Sequence, residues 1–183
     1  MRNVLFVINL SLDGYCDHTT FNPSEELMDY FTDLMGEVGL NFFGRITYQM
    51  MFPYWDDVAA NQSGTPEENR FAEKFSAIEK LVVSKTLASA GENTRIIRSN
   101  PAAALLDLKQ QPGKTISVGS VSMLPELITA GLIDEFRIVV HPGIACKGRP
   151  LLQSGSLQDT LHLKLVNTII FKSGCVAHHY LKQ

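Results

Sequence analysis

The sequence predicts an α/β fold, with a mostly parallel central sheet flanked by helices and an antiparallel C-terminal hairpin. Three observations predict it. Apolar runs of strand length alternate with segments of helical period through most of the chain. Only strand-like segments follow. No Pro/Gly/Ser-rich linker interrupts the 183 residues, so the chain reads as a single domain, 1–183.

Asn3 to Leu10 is a buried strand, near-continuously apolar through Val4, Leu5, Phe6, Val7 and Ile8. A polar loop follows to Phe21. Asn22-Pro23-Ser24-Glu25 reads as a helix start, with Asn22 as the cap, Pro23 at the first position and Glu25 completing a capping box. Leu27, Tyr30, Phe31, Leu34, Met35 and Val38 recur at helical spacing, and Gly39 ends the helix. Leu40 to Phe43 is a short strand. It runs into Gly44-Arg45-Ile46-Thr47-Tyr48 and a second helix, which Pro53 stops soon after Phe52. Asp56 to Gly64 then reads as a surface loop.

Thr65-Pro66-Glu67-Glu68 starts a third helix with Phe71, Phe75 and Ile78 on its buried face. Lys80 to Ser84 and Thr94 to Ile97 are strands. Asn100-Pro101 opens a helix that Pro112-Gly113 ends. Thr115 to Val118 is a strand, followed by Gly119-Ser120-Val121-Ser122 and a helix from Met123 to Ala130, closed by Gly131. Glu135 to His141 is the next strand. Leu161, Leu163 and Leu165 alternate, Ile169 to Lys172 continues, and Cys175 to Leu181 returns after a Ser173-Gly174 turn.

Composition narrows the function. The net charge is −3, which lacks the basic footprint of a nucleic-acid binder. No run reaches the roughly 18 apolar residues of a membrane span. The N-terminal apolar run ends in Ser11-Leu12-Asp13-Gly14 without a small-residue cleavage site, so it reads as a strand and not as a signal peptide. Cys16, Cys146 and Cys175 are odd in number and widely spaced, forming neither a disulfide framework nor a metal pair. A reducing cytoplasm is the simplest home. His178 and His179 point to opposite faces of a strand and cannot chelate one metal together, so no metal site is expected.

Two strand-to-helix turns carry the chemistry. A helix N-terminus presents unpaired N–H groups and partial positive charge, which suits a phosphate. At Phe43-Gly44-Arg45-Ile46-Thr47, Gly44 admits a ligand close to the backbone, Arg45 is a permanent cation and Thr47 adds a hydroxyl. The alternative is a tight turn with a solvated arginine. Val118-Gly119-Ser120-Val121-Ser122 offers a glycine and two hydroxyls. A third turn, Val82-Val83-Ser84-Lys85-Thr86, places a lysine beside hydroxyls, either for a phosphate or as a solvated strand end. Asp13 either orients a substrate or supplies a proton, or it holds its own turn. His18 lies in the same loop. Phe52, Tyr54 and Trp55 form either a lid over a pocket or core packing.

In this order the turns resemble the dihydrofolate reductase-like superfamily. Ser11-Leu12-Asp13-Gly14, Gly44-Arg45-Ile46-Thr47-Tyr48, Val83-Ser84-Lys85, Val118-Gly119-Ser120 and Ala130-Gly131-Leu132-Ile133-Asp134-Glu135 carry the resemblance, from Val4 to about Leu181. Pro142-Gly143-Ile144 and Gly148-Arg149-Pro150-Leu151-Leu152 also fit. Within the superfamily the chain is most similar to stand-alone relatives of the C-terminal reductase domain of the riboflavin-biosynthesis deaminase-reductase.

That resemblance implies an NADPH-dependent reductase of a small heterocyclic substrate, a phosphoribosylamino-uracil or a pterin. It places Arg45 and Thr47 at the cofactor pyrophosphate and Ser84 and Lys85 at the adenosine 2′-phosphate. Gly119, Ser120 and Val121 would line the cofactor between nicotinamide and pyrophosphate. Gly119-Ser120 departs from the adjacent glycines common in dihydrofolate reductases. A carboxylate early in the first helix would hold a pterin. Glu26 falls there, with Asp29 or Glu25 as alternatives, although acids also enrich helix starts for dipole reasons alone. The resemblance also implies a homodimer, for which the C-terminal hairpin, with Val176 and Tyr180 on one face, is suited. A true dihydrofolate reductase and a non-catalytic nucleotide-binding module are the competing expectations. No zinc deaminase signature is present, so a complete riboflavin role would need a separate partner.

Overall fold

Eight strands form one sheet in the order β4-β3-β2-β5-β1-β6-β8-β7 in a computed structural model that describes residues 1–16 and 23–183. The strands are β1 (Val4–Leu10), β2 (Val38–Gly44), β3 (Glu79–Val83), β4 (Thr94–Ile97), β5 (Thr115–Gly119), β6 (Glu135–Val140), β7 (Leu163–Ile170) and β8 (Val176–Lys182). The first six are parallel; β8 runs antiparallel to β6, and β7 antiparallel to β8. The expected fold class is therefore the observed one. The chain steps outward from β1 to β2, β3 and β4, then returns to insert β5 between β2 and β1. Such a reversal of strand order opens a crevice at the carboxyl ends of the strands.

The helices are α1 (Glu25–Glu37), α2 (Arg45–Asn61), α3 (Pro66–Ala77), α4 (Pro101–Gln110) and α5 (Leu124–Thr129). On one face of the sheet, Leu27 and Phe31 of α1, Phe52 of α2 and Phe75 of α3 pack over Leu5 and Val82. On the other, Leu105 of α4 and Leu127 of α5 cover Val4, Phe6, Ile116 and Val118. The α3 start is as expected: Thr65 accepts from the Glu68 N–H, the Glu68 side chain accepts from the Thr65 N–H, and Pro66 fills the first turn.

Three local expectations need correction. Asn22 lies outside the described residues, and α1 is capped by Ser24, whose hydroxyl accepts from Leu27 N–H. Gly39 does not end α1: the helix stops at Glu37 and Val38 already begins β2. Gly39 is needed for space, because a Cβ there would lie 2.9 Å from Lys114. Pro53 does not end α2, which continues to Asn61 through the expected loop. An interior proline loses one hydrogen bond and crowds the preceding turn, at about 3 kcal/mol. Here both Pro53 and Gln49, whose carbonyl would lose that bond, are exposed. The turns beyond bury Val58 and set Trp55 edge-on against Phe71, and that packing outweighs the local penalty.

The strangest core residue is Lys80, which is fully buried. Its ammonium donates to the carbonyls of Ser76 and Ile78, both at 2.8 Å, and lies 4.8 Å from the Phe52 ring centroid. It therefore caps the end of α3 and faces an aromatic ring. Burial pushes its pKa down from 10.5 to about 8. Between those values the unfolded chain holds a proton that the fold has released, so Lys80 makes stability rise with pH across that window. Denaturant unfolding from about pH 8 to about pH 10 should show that rise in the wild type. Lys80→Met should flatten it; an equal slope in both proteins would contradict the assignment.

Candidate active site

A cavity of about 390 Å³ opens at the crevice, within the roughly 300–1,000 Å³ of small-molecule sites. Its walls are apolar. Helix α1 contributes Met28, Phe31 and Met35; α2 contributes Met50, Met51, Tyr54 and Trp55; α3 contributes Phe71 and Phe75. The floor is polar: Asn9 of β1, Asn41 of β2 and Ser117 of β5, with His141 just after β6. Trp55 and Tyr54 thus form a wall of the cavity while Trp55 also packs on Phe71, at 4.7 Å between ring centroids.

Four of the expected cofactor residues meet at this cavity: Thr47, Gly119, Ser120 and Val121 line it. Gly44 is the N-cap of the 17-residue α2, with no side-chain cap and no acid in the first turn. The first-turn N–H groups are thus available to an anion. Arg45 stands exposed beside them, its Nη1 donating to Gln49 Oε1 at 2.9 Å. The second turn is different. The helix after it begins only at Leu124 and has six residues, so Gly119 ends β5 and Ser120 opens a loop, not a helix N-terminus.

Both glycines are explained by their neighbours. A Cβ on Gly44 would sit 2.5 Å from Ser120 Oγ, and one on Gly119 would sit 2.5 Å from the Phe43 ring. The close approach is between β2 and β5 themselves.

Ser84 and Lys85 lie at the carboxyl end of β3, next to Gly44 through the Gly44–Val83 pairing, and do not line the cavity. The buried Ser84 hydroxyl accepts from the N–H groups of Thr86 and Leu87. It shapes the turn. Arg98 fastens the same turn by donating to the carbonyls of Ser84, Lys85 and Leu87. Lys85 is exposed.

Neither expected acid faces the cavity. Asp13 Oδ1 accepts from Ser11 Oγ at 2.6 Å and from Ala145 N–H, and Oδ2 accepts from Cys146 N–H. These bonds, the serine's first, hold its pKa at about 2. A carboxylate so held has no proton to give near neutrality. Asp13 latches the loop after β6 to the end of β1, together with the Leu12 N–H bond to the Gly143 carbonyl. Glu26 accepts from Lys172 N–H at 3.0 Å and pairs with Lys172 Nζ at 2.9 Å, which lowers its pKa. It ties α1 to the turn between β7 and β8. Asp29 pairs with Arg70 at 2.6 Å, and Glu25 is exposed. The residues that α1 turns toward the cavity carry no charge. His18 lies outside the described residues.

Asn9, at the end of β1, was expected to border the pocket and does; Asn41, Ser117 and His141 escaped the sequence reading. The available signal was polarity inside an apolar strand, as in Leu40-Asn41-Phe42-Phe43. His141 is buried; its Nε2 lies 3.0 Å from Asn9 Oδ1 and its Nδ1 3.3 Å from Cys175 Sγ. Burial lowers its pKa, so it is neutral near pH 7. Among the described residues no cluster of His, Cys, Asp and Glu could hold a metal ion, and no helix is long and apolar enough to cross a membrane.

Comparison with known proteins places this geometry. YyaP of Bacillus subtilis, itself uncharacterised, is 27% identical over 179 residues, covering 96% of this chain and 92% of that protein. A Shewanella sp. PV-4 protein attributed to riboflavin biosynthesis superposes with a TM-score of 0.75 at 18% identity, over 99% of both chains. A pyrimidine reductase-like protein of Corynebacterium diphtheriae follows at 0.68 and 15%, covering 99% of this chain and 92% of that one. RibD of Acinetobacter baumannii superposes at 0.62 and 15%, with this chain matching 58% of its length. At these identities the structures share the fold. The RibD C-terminal domain model matches residues 2–177, almost end to end, and by that match the chain belongs to the RibD C-terminal domain family.

Proposed function

We propose that the protein is an NADPH-dependent reductase of a small heterocyclic substrate held in the crevice cavity. The observation that carries this reading is the junction of an uncapped α2 N-terminus, Arg45 and an apolar cavity at one point of the sheet. Family membership and the pyrimidine reductase-like neighbour support it. The residues fit a dinucleotide: the α2 N–H groups and Arg45 would hold the pyrophosphate, and exposed Lys85 would take a 2′-phosphate. A bound reduced nicotinamide would supply the hydride. The chain's own part is positioning and exclusion of water, through the walls of Met28, Phe31, Trp55 and Phe75. The reading places the protein in the cytoplasm.

A true dihydrofolate reductase is the weaker reading, because no carboxylate lines the cavity among the described residues. Oxidation of NADPH in the presence of pyrimidines and pterins separates the cases. Turnover inhibited by methotrexate would favour the folate enzyme. Tight NADPH binding without turnover on any of them would favour a non-catalytic module.

We also propose a homodimer. Strand β8 is enclosed between β6 and β7, so the sheet edge on the hairpin's side is β7, where Val166 is 50% and Ile170 77% exposed. An apolar edge strand favours pairing with a second copy. Light scattering should give twice the 20.3 kDa chain mass, and a Val166→Lys/Ile170→Lys double variant should be monomeric. A monomeric wild type would overturn this.

A further inference from the structure

We propose that Cys175 and His141 act as positioning residues that hold the Asn9 carboxamide with its NH2 group toward the cavity. This end of the cavity then selects a ligand carrying a hydrogen-bond acceptor over one carrying a donor. The proposal rests on the reductase reading for the use of the cavity, and adds to it the residues that set specificity there. The three side chains come from separate elements. Asn9 lies in β1, His141 directly follows β6, and Cys175 directly precedes β8. Glu26 ties the turn before Cys175 to α1 through Lys172. His141 Nε2 lies 3.0 Å from Asn9 Oδ1, and its Nδ1 lies 3.3 Å from Cys175 Sγ. Both His141 and Cys175 are buried.

One placement of protons satisfies all three groups. Burial lowers the His141 pKa, so the neutral ring carries one N–H and one lone pair. An amide oxygen only accepts, so Nε2 holds the proton and donates to Asn9 Oδ1. Nδ1 then accepts, and the Cys175 S–H is the donor that meets it. Turning the amide over would set its N–H against the Nε2 N–H. Moving the ring proton to Nδ1 would aim it at a thiol sulfur, a weak acceptor. The Asn9 nitrogen is thus the end left for the cavity, which Asn9 lines. Asn9 is half-buried, and its Nδ2 has no hydrogen-bond partner among the described residues. The sealed polar atoms without partners lie elsewhere, so Asn9 Nδ2 stays accessible. The Thr47 and Ser117 hydroxyls, which also line the cavity, rotate to suit either kind of partner. The locked amide cannot.

The test follows the indole N–H resonance of Trp55, the sole tryptophan and a wall of the cavity, in isotope-labelled protein. The probes are acetophenone, its hydrocarbon isostere α-methylstyrene, and aniline, near neutral pH, where aniline is uncharged. The wild type should bind acetophenone roughly threefold to tenfold tighter than α-methylstyrene, the worth of one hydrogen bond, and tighter than aniline. Asn9→Asp offers only acceptors and should reverse the order of acetophenone and aniline. Cys175→Ala should shrink the acetophenone preference, because Nδ1 loses its donor and the amide is free to turn over. Cys175→Ser keeps a donor and should retain the preference. In the wild type itself, the nitrogen shifts of the His141 ring, identified by their loss in His141→Gln, should report the Nε2–H tautomer. That measurement stands if a variant folds poorly. Equal binding of acetophenone and α-methylstyrene, an unreversed order in Asn9→Asp, a full preference in Cys175→Ala, or an Nδ1–H tautomer would each overturn the proposal. A wild type that shows the preference but does not bind NADPH would remove the reductase reading and leave this one standing.

Discussion

Gly119→Ala is expected to destabilise the fold by roughly 1–3 kcal/mol, the usual consequence of overpacking a filled core. The added Cβ would meet Phe43 Cε1 and Cδ1 at 2.5 and 2.6 Å and Thr47 Cγ2 at 3.6 Å. Phe43 faces Gly119 across the sheet and is 3% exposed. Its ring is wedged against Phe75, with centroids 6.0 Å apart. It can yield only by pushing Phe75 or by swinging into the cavity, so stability and ligand binding should fall together. Gly44→Ala should be milder, because its nearest obstacle is the Ser120 hydroxyl, a small group able to rotate. Denaturant unfolding measures both. Phe43→Leu, by shortening the obstructing side chain, should recover part of the Gly119→Ala loss in the double variant. A Gly119→Ala protein that unfolds at the wild-type midpoint would mean that β2 and β5 are not this close.

Arg45→Ala should raise the NADPH dissociation constant roughly tenfold or more, since a hydrogen bond to a charged group is worth about 1.5–3 kcal/mol. Its effect should be similar for NADH, because the pyrophosphate is common to both. Lys85→Ala should weaken NADPH and leave NADH nearly unchanged, because only NADPH carries the 2′-phosphate. Raising the salt concentration should shrink the Lys85 effect, since Lys85 is exposed and its charge is screened. The two variants thus sort the cofactor's anionic groups between two turns. Equal losses for both cofactors in Lys85→Ala would move the lysine away from the 2′-phosphate.

The elements were legible where one chain segment decides its own fate. The apolar run of β1, the Thr65-Pro66-Glu67-Glu68 start and the Leu163–Lys182 hairpin all follow from local pattern. The sequence misled where packing outvoted local preference, as at Pro53, where burying Val58 and docking Trp55 keep the helix going. It misled differently at Asp13 and Glu26. Both look like catalytic acids in one dimension, yet Asp13 bonds Ala145 and Cys146 and Glu26 bonds Lys172, partners more than a hundred residues away. The cavity floor was hidden for a related reason. Asn41 and Ser117 come from separate strands, and only the insertion of β5 beside β2 brings them together. Arg45 and Gly44 were legible because a strand, a glycine and a helix start are contiguous.

Trp55 also makes the most direct measurement possible. If nicotinamide enters the cavity, NADPH should quench Trp55 emission saturably, with NADH needing a higher concentration and Arg45→Ala shifting both curves upward. Saturating NADPH that leaves Trp55 emission unchanged, or an Arg45→Ala curve that overlays the wild type, would contradict the account.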